Sequence, residues 1–204
     1  MEGTALHFKD GTRRFFYDEL YANAWQLKSF LEQTAVNKKP YEMRAPEMNT
    51  NDPDLTYMEV FKGNPVFSFR GIMLWGLIGF LIYLTFFGGK PIDPKVTMFF
   101  IGLSLFWFLA MSHAMNYFGL ANDYLIIKNH HYFWKQHFYK LGDIKEIVFE
   151  THSKAPISLR LINKNFQTKV YPASTLHDKH WLELMDRLQE KGVVVRNECI
   201  PINN

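Results

Sequence analysis

Between residues 66 and 122 the mixing of polar and apolar positions seen elsewhere in the chain disappears. Two apolar stretches take its place, 66–87 and 96–122, with eight residues between them. The first carries Arg70 near its start and no further charge; the second has no Asp, Glu, Lys or Arg at all. A helix needs roughly 20 apolar residues to cross the hydrocarbon core of a bilayer, and both stretches reach that length. A buried helix of a soluble protein can be apolar on every side, yet such helices usually run about 10 to 14 residues inside larger domains. Two long ones in succession would leave a 204-residue chain with little protein to cover them. The pattern predicts two membrane spans, over 66–87 and 96–119.

The connection Gly88-Gly89-Lys90-Pro91-Ile92-Asp93-Pro94-Lys95 reads as a helix stop and restart. So short a link makes the helices antiparallel neighbours and puts both termini on one side. Lys62, Arg70, Lys128, Lys135 and Lys140 flank the terminal side, against Lys90 and Lys95 in the loop, a bias that predicts cytoplasmic termini. The lone Cys199 offers no internal disulfide framework and fits that compartment. Charges at Lys9, Asp10, Arg13, Arg14, Asp18 and Glu19 exclude a secretory signal at the start. The expectation is an integral protein of an inner or plasma membrane.

Within the spans Trp75, Tyr83, Trp107 and Tyr117 offer interface anchors or partner contacts, with lipid-facing aromatics the plainer reading, and Gly71, Gly76 and Gly79 offer small surfaces for close helix approach without a clean small-xxx-small motif. His113 and Asn116 fall one helical turn apart in the second span and would share a face. A transporter would place proton or ion chemistry on such a pair. They lie near the exit of the span, however, and two helices alone cannot enclose a pathway.

After the hairpin the rhythm changes to short runs rich in β-branched and aromatic residues. They cover 124–127, 132–134, 138–139, 144–149, 157–162 and 166–171, with turn formers at Leu141-Gly142-Asp143 and Asn163-Lys164-Asn165. Consecutive short strands imply an antiparallel meander. A helix follows, with Asp178 as its cap, Trp181, Leu182, Met185 and Leu188 on one face, and Gly192 as its stop. Residues 193–195 read as one more strand or a packed tail.

Ahead of the hairpin, 5–9 and 12–16 flank Asp10-Gly11, a two-residue hairpin signal. Residues 17–33 read as a helix capped by Asp18, with Leu20, Ala24, Leu27 and Leu31 on one face. The organisation is thus 1–36 as hairpin and helix, 37–62 as an extended linker or partner-wrapping arm, then the spans, then 120–204. The first 60 residues hold seven basic and ten acidic side chains, whereas 120–204 hold twelve and nine. The opposite signs permit docking of the two parts.

The run "NDYLIIKNHHYFWKQHFYKLGDIKEIVFE", then "ISLRLINKNFQTKVYPAS" and "WLELMDRLQEKGVVV", resembles a bacterial pleckstrin-homology-like domain placed after a two-helix membrane hairpin. The segment 141–147 matches an apolar-x-Asp-Ile-x-x-Ile pattern, and 180–188 matches a closing Trp-containing helix. The resemblance covers about 85 residues plus the hairpin. It implies an antiparallel sheet sandwich or partial barrel capped by a C-terminal helix, and it transfers no catalytic residue. Five or six strands precede the helix here where that fold usually supplies seven, so either the N-terminal part supplies the remainder or the domain is truncated. The fold class expected is a membrane α-helical hairpin plus an α+β cytoplasmic domain.

Eight Lys or Arg lie between 128 and 169 against three acidic residues. Beside a membrane, Lys128, Lys135 and Lys140 are the candidates for anionic headgroups, although an ordinary solvated face would look the same. The small net charge of +3 does not point to nucleic acid. His177-x-x-His180 has ligand-like spacing, but among neighbouring residues only Asp178 could join it, so no metal is expected. No serine elbow, phosphate-cradling loop or paired acid appears, and neither catalysis nor a cofactor is expected. The function this favours is a non-catalytic, membrane-anchored interaction protein or accessory subunit, held to the lipid bilayer and to a protein partner or a second copy of itself. A lipid-sensing module and a small transporter or channel subunit are the alternatives.

Overall fold

The computed structural model describes residues 3–17, 24–42, 58–87, 93–151 and 155–201. Most of the expected arm, the Asp18 cap, Leu20 and the first part of the inter-helix turn lie outside these.

Two 19-residue helices, α2 (Phe69–Phe87) and α3 (Pro94–Ser112), dominate the middle of the chain and follow the shorter α1 (Ala24–Leu31). Asp93 caps α3 by accepting from the Lys95 N–H at 2.8 Å, and Pro94 takes the first helical position, where its missing donor costs nothing. The helices lie side by side: the Trp107 indole donates to the Met73 carbonyl at 3.3 Å, and Trp75 meets Phe108 edge-on. Both are long and apolar enough to cross a membrane. Their apolar side chains stay largely uncovered, with Phe69 at 82%, Phe86 at 76% and Met98 at 76% exposure, which is unlike the core helix of a soluble domain. Gly76 and Gly79 have open space around them, so the close approach expected there does not occur among the described residues.

The second apolar stretch is not one helix. α3 stops at Ser112, short of residue 119, and Asn116–Leu120 forms a strand. The run stays apolar because that strand is buried inside a sheet, and burial in protein and in lipid select the same residues. Tyr117 is accordingly a strand residue and not a helical anchor.

Among the described residues ten strands, β1 to β10, form three sheets. β1 (Gly3–His7) and β2 (Arg13–Tyr17) make a separate antiparallel hairpin. Its turn is longer than the two residues expected. The Gly11 N–H reaches the Phe8 carbonyl at 3.0 Å and Gly11 takes φ +83°, so Asp10-Gly11 ends a four-residue turn. Tyr17 belongs to β2 and not to the following helix, α1 (Ala24–Leu31), which runs on into a wider turn over Glu32–Val36.

The second sheet has the order β3-β4-β5-β6, from Glu59–Phe61, Asn116–Leu120, Tyr124–Asn129 and Gln136–Lys140. The third has the order β10-β7-β8-β9, from Val195–Asn197, Ile144–Glu150, Ser158–Asn163 and Thr168–Pro172. Every neighbouring pair is antiparallel except β10 with β7, which follows the crossover helix α4 (Asp178–Glu190). Residues 132–134, expected as strand, lie instead in the β5–β6 loop. α4 begins at Asp178 with His177 in the capping position, so Asp178 contributes first-turn negative charge and not the cap. α4 lays Trp181, Leu184 and Leu188 on the core, all fully buried. Trp181 sits between the two sheets, its ring 5.3 Å from Phe118 and 4.8 Å from Phe149.

Candidate functional site

β3 and β4 are adjacent in the sheet, paired Glu59 with Leu120 through Phe61 with Phe118, yet the whole helical hairpin lies between them in sequence. The apolar helices are therefore an insertion into the sheet domain and not a stalk in front of it. The chain leaves the sheet at Phe61, enters α2, and returns from α3 directly into the neighbouring strand.

At the return the chain is held by buried polar side chains. Asn129, at the end of β5, donates from Nδ2 to the Ser112 carbonyl at 2.9 Å and to Asn116 Oδ1 at 3.1 Å. Its Oδ1 accepts from the N–H groups of His131 and Tyr132 at 3.0 and 3.1 Å. Asn116 donates onward to the Pro172 carbonyl at 2.8 Å, and Ser174 binds the Ala114 carbonyl through both its N–H and its hydroxyl at 2.9 Å. A single bridge between Met115 and Ala173 draws the two sheets together here. Buried amides leave few partners to choose from, so such a collar specifies one geometry.

The outgoing side is held by close contact. Gly63 lies against Thr175, where a Cβ would stand 1.6 Å from the carbonyl oxygen. Gly71 faces the Pro65 carbonyl in the same way, at 2.2 Å, which is the close approach found for this glycine. Asn64 accepts from the N–H groups of Val66 and Phe67 at 2.9 and 3.0 Å, and the Ser68 hydroxyl accepts from Gly71 at 3.1 Å. Segment 173–176 thus touches both roots of the hairpin.

His130 and His131 share this junction without facing each other. His130 lies over Tyr117, its ring 4.8 Å away, and its Nε2 is 3.3 Å from the Thr175 hydroxyl. Burial, then His131 and Lys62, push its imidazole down to about 4. His131 packs on Phe108 and Trp75, and burial lowers its pKa as well. At the open ends of β6 and β9 the Tyr139 and Tyr171 hydroxyls meet, and burial followed by that contact raises the Tyr171 pKa. His137 lies beside them, lowered by burial, Lys169 and Lys135.

The residues singled out in the sequence are redistributed by this geometry. His113 is exposed just after α3, whereas Asn116 is buried in β4, so they share no helical face. The collar gives Asn116 a structural partner set in place of an ion pathway. Lys128 and Lys135 stand at the hairpin end of the β5–β6 pair, but Lys140 pairs with Tyr124 at the opposite end. Along a strand of this length that separates it by about 13 Å. The rings of His177 and His180 are 6.3 Å apart, and among the described residues no three His, Cys, Asp or Glu side chains are grouped to hold an ion. Asn129, Thr175 and Gly63 carry no motif in the sequence. Their only signal is that a polar residue or a glycine borders an apolar run.

The N-terminal unit touches this domain at the far end, through Glu32 to Lys145 at 3.1 Å and Lys28 over the Phe166 ring at 6.0 Å. No family model matches the chain, and no curated protein or solved structure matches it.

Proposed function

We propose that this is a non-catalytic, membrane-anchored interaction protein, an accessory subunit whose pleckstrin-homology-like domain is carried on a two-span hairpin with both termini in the cytoplasm of a bacterial cell. The observation that carries the reading is the insertion of the hairpin between paired strands, with a buried collar at its root. A domain joined to its anchor by two strands of one sheet has no freedom to swing, and so presents fixed faces to partners in the same membrane. The strand count supports the family reading. β3, contributed from before the hairpin, brings the strands ahead of α4 in the two larger sheets to seven, arranged as four and then three. That is the number the resemblance calls for.

Native mass spectrometry of the tagged protein, extracted gently from its own membranes, tests this reading. A stoichiometric protein companion, or a defined homo-oligomer, is the expected result. A solitary chain retaining only anionic lipid would replace it with the lipid-sensing alternative, which the shared position of Lys128 and Lys135 favours.

A further inference from the structure

The β5–β6 loop does not point away from the helices; it runs back along them. Asn129 Oδ1 holds the N–H groups of His131 and Tyr132, and the Lys135 N–H closes the turn on the Tyr132 carbonyl at 2.8 Å. His131 is seated against Trp75 of α2 and Phe108 of α3. Tyr132 donates its hydroxyl to the carbonyl of Leu109 at 2.8 Å. Leu109 lies three residues before the end of α3, about 4.5 Å inside the helix.

At the corner of this turn stand Phe133 and Trp134, 77% and 69% exposed, their rings 4.8 Å apart and edge-to-face. Tyr132 adds a third ring 5.6 Å from Trp134. Neither Phe133 nor Trp134 belongs to the core of the sheet domain. An exposed aromatic pair in a polar loop is unfavourable in water, and nothing among the described residues covers it. The loop is tied to α3 at the level of exposed apolar helix residues, Leu109 itself and Phe106. Helices of 19 residues are about 28 Å long, close to the hydrocarbon thickness of a bilayer, so their last turn reaches the headgroup boundary. Trp and Tyr are the residues that favour that depth. Lys135 in the loop, with Lys128 paired to the adjoining Gln136, supplies cations where lipid phosphates would lie.

We propose that residues 131–135 form an interfacial wedge, with Phe133 and Trp134 seated at the headgroup–acyl boundary of the bilayer. The wedge rests on the reading that α2 and α3 span the membrane. It adds a third attachment beside the two helices and fixes the tilt of the sheet domain against the lipid surface. The end bearing the buried collar then faces the membrane, and the Asn163–Phe166 turn faces away.

The single cysteine makes the test direct. In a Cys199→Ser background, an environment-sensitive fluorophore is placed at Phe133→Cys, at Phe80→Cys within α2, or at Lys164→Cys in the distal turn. The intact protein is reconstituted in phosphatidylcholine–phosphatidylglycerol nanodiscs with nitroxide quenchers at the headgroup or deep in the acyl chain. The wedge predicts blue-shifted emission at position 133, quenched mainly by the headgroup nitroxide, with position 80 quenched by the deep one and position 164 by neither. Position 80 quenched while position 133 behaves like position 164 would overturn the wedge and leave the spans standing. Blue-shifted emission at 133 that no lipid quencher reaches would also overturn it, since a protein surface would then cover the loop. Loss of quenching at both 80 and 133 would overturn the spanning reading and the wedge together.

Discussion

Asn129 and Ser112 are joined across the root of the hairpin: the Asn129 amide donates at 2.9 Å to the carbonyl that ends α3. Asn129 is 3% exposed and serves four polar groups at once. Each such group left without a partner in a buried site costs roughly 1–3 kcal/mol. Asn129→Ala is therefore expected to destabilise the protein by about 3 kcal/mol, read as a lower midpoint in denaturant titration in detergent. Asn116→Ala, which frees fewer groups, is expected to cost less. Equal stability of Asn129→Ala and the parent would show that the collar holds nothing.

The glycines around the hairpin separate sharply. Gly63→Ala drives a methyl group into the Thr175 backbone, which has no flexible side-chain end to yield. A cost of about 3 kcal/mol or more is expected, at the upper end for overpacking. Gly76→Ala meets open space and is expected to be neutral or slightly stabilising. Thermal melts of the two variants side by side give the comparison. A destabilised Gly76→Ala protein would reveal a neighbouring helix from another chain at that position.

The His130 imidazole, with a value of about 4 in the fold against 6.5 when free, binds its proton less readily in the folded state. Its contribution to stability is then fully present above about pH 6.5 and is lost as pH falls toward 4. His131 and His137, also lowered, act in the same direction. The difference in melting temperature between pH 7.5 and pH 4.5 is expected to shrink in His130→Gln relative to the parent. An unchanged difference would remove His130 from the acid response.

Lys128, Lys135 and Lys140 no longer form one set. Basic residues at an anionic surface contribute about 1 kcal/mol each, so neutralising Lys128 or Lys135 is expected to weaken preference for anionic lipid about fivefold apiece. Lys140→Gln, at the distal end of β6, is expected to leave that preference unchanged. Lipid exchange measured by native mass spectrometry distinguishes the three variants. Equal losses at all three positions would point to a diffuse field in place of a membrane-facing end.

The sequence by itself determined the elements whose cause is local. Two long apolar runs, with Arg70 their one charge, gave α2 and most of α3, because apolar runs of that length exceed a strand. Short runs rich in β-branched and aromatic residues, bounded by turn formers, placed β5, β7, β8 and β9, and helical spacing placed α4 with Trp181 and Leu188 on its inner face. Only the tertiary structure decided where α3 gives way to β4, since Phe118 is as apolar in a sheet core as it would be in lipid. It also decided that Glu59–Phe61 belongs to the same sheet as residues beyond the hairpin, a pairing made by non-local backbone hydrogen bonds that leave no mark on three residues. The collar was hidden for the same reason. Asn116, Asn129 and Pro172 are far apart in the chain, and a buried amide reveals its partners only when the fold brings them within hydrogen-bonding distance.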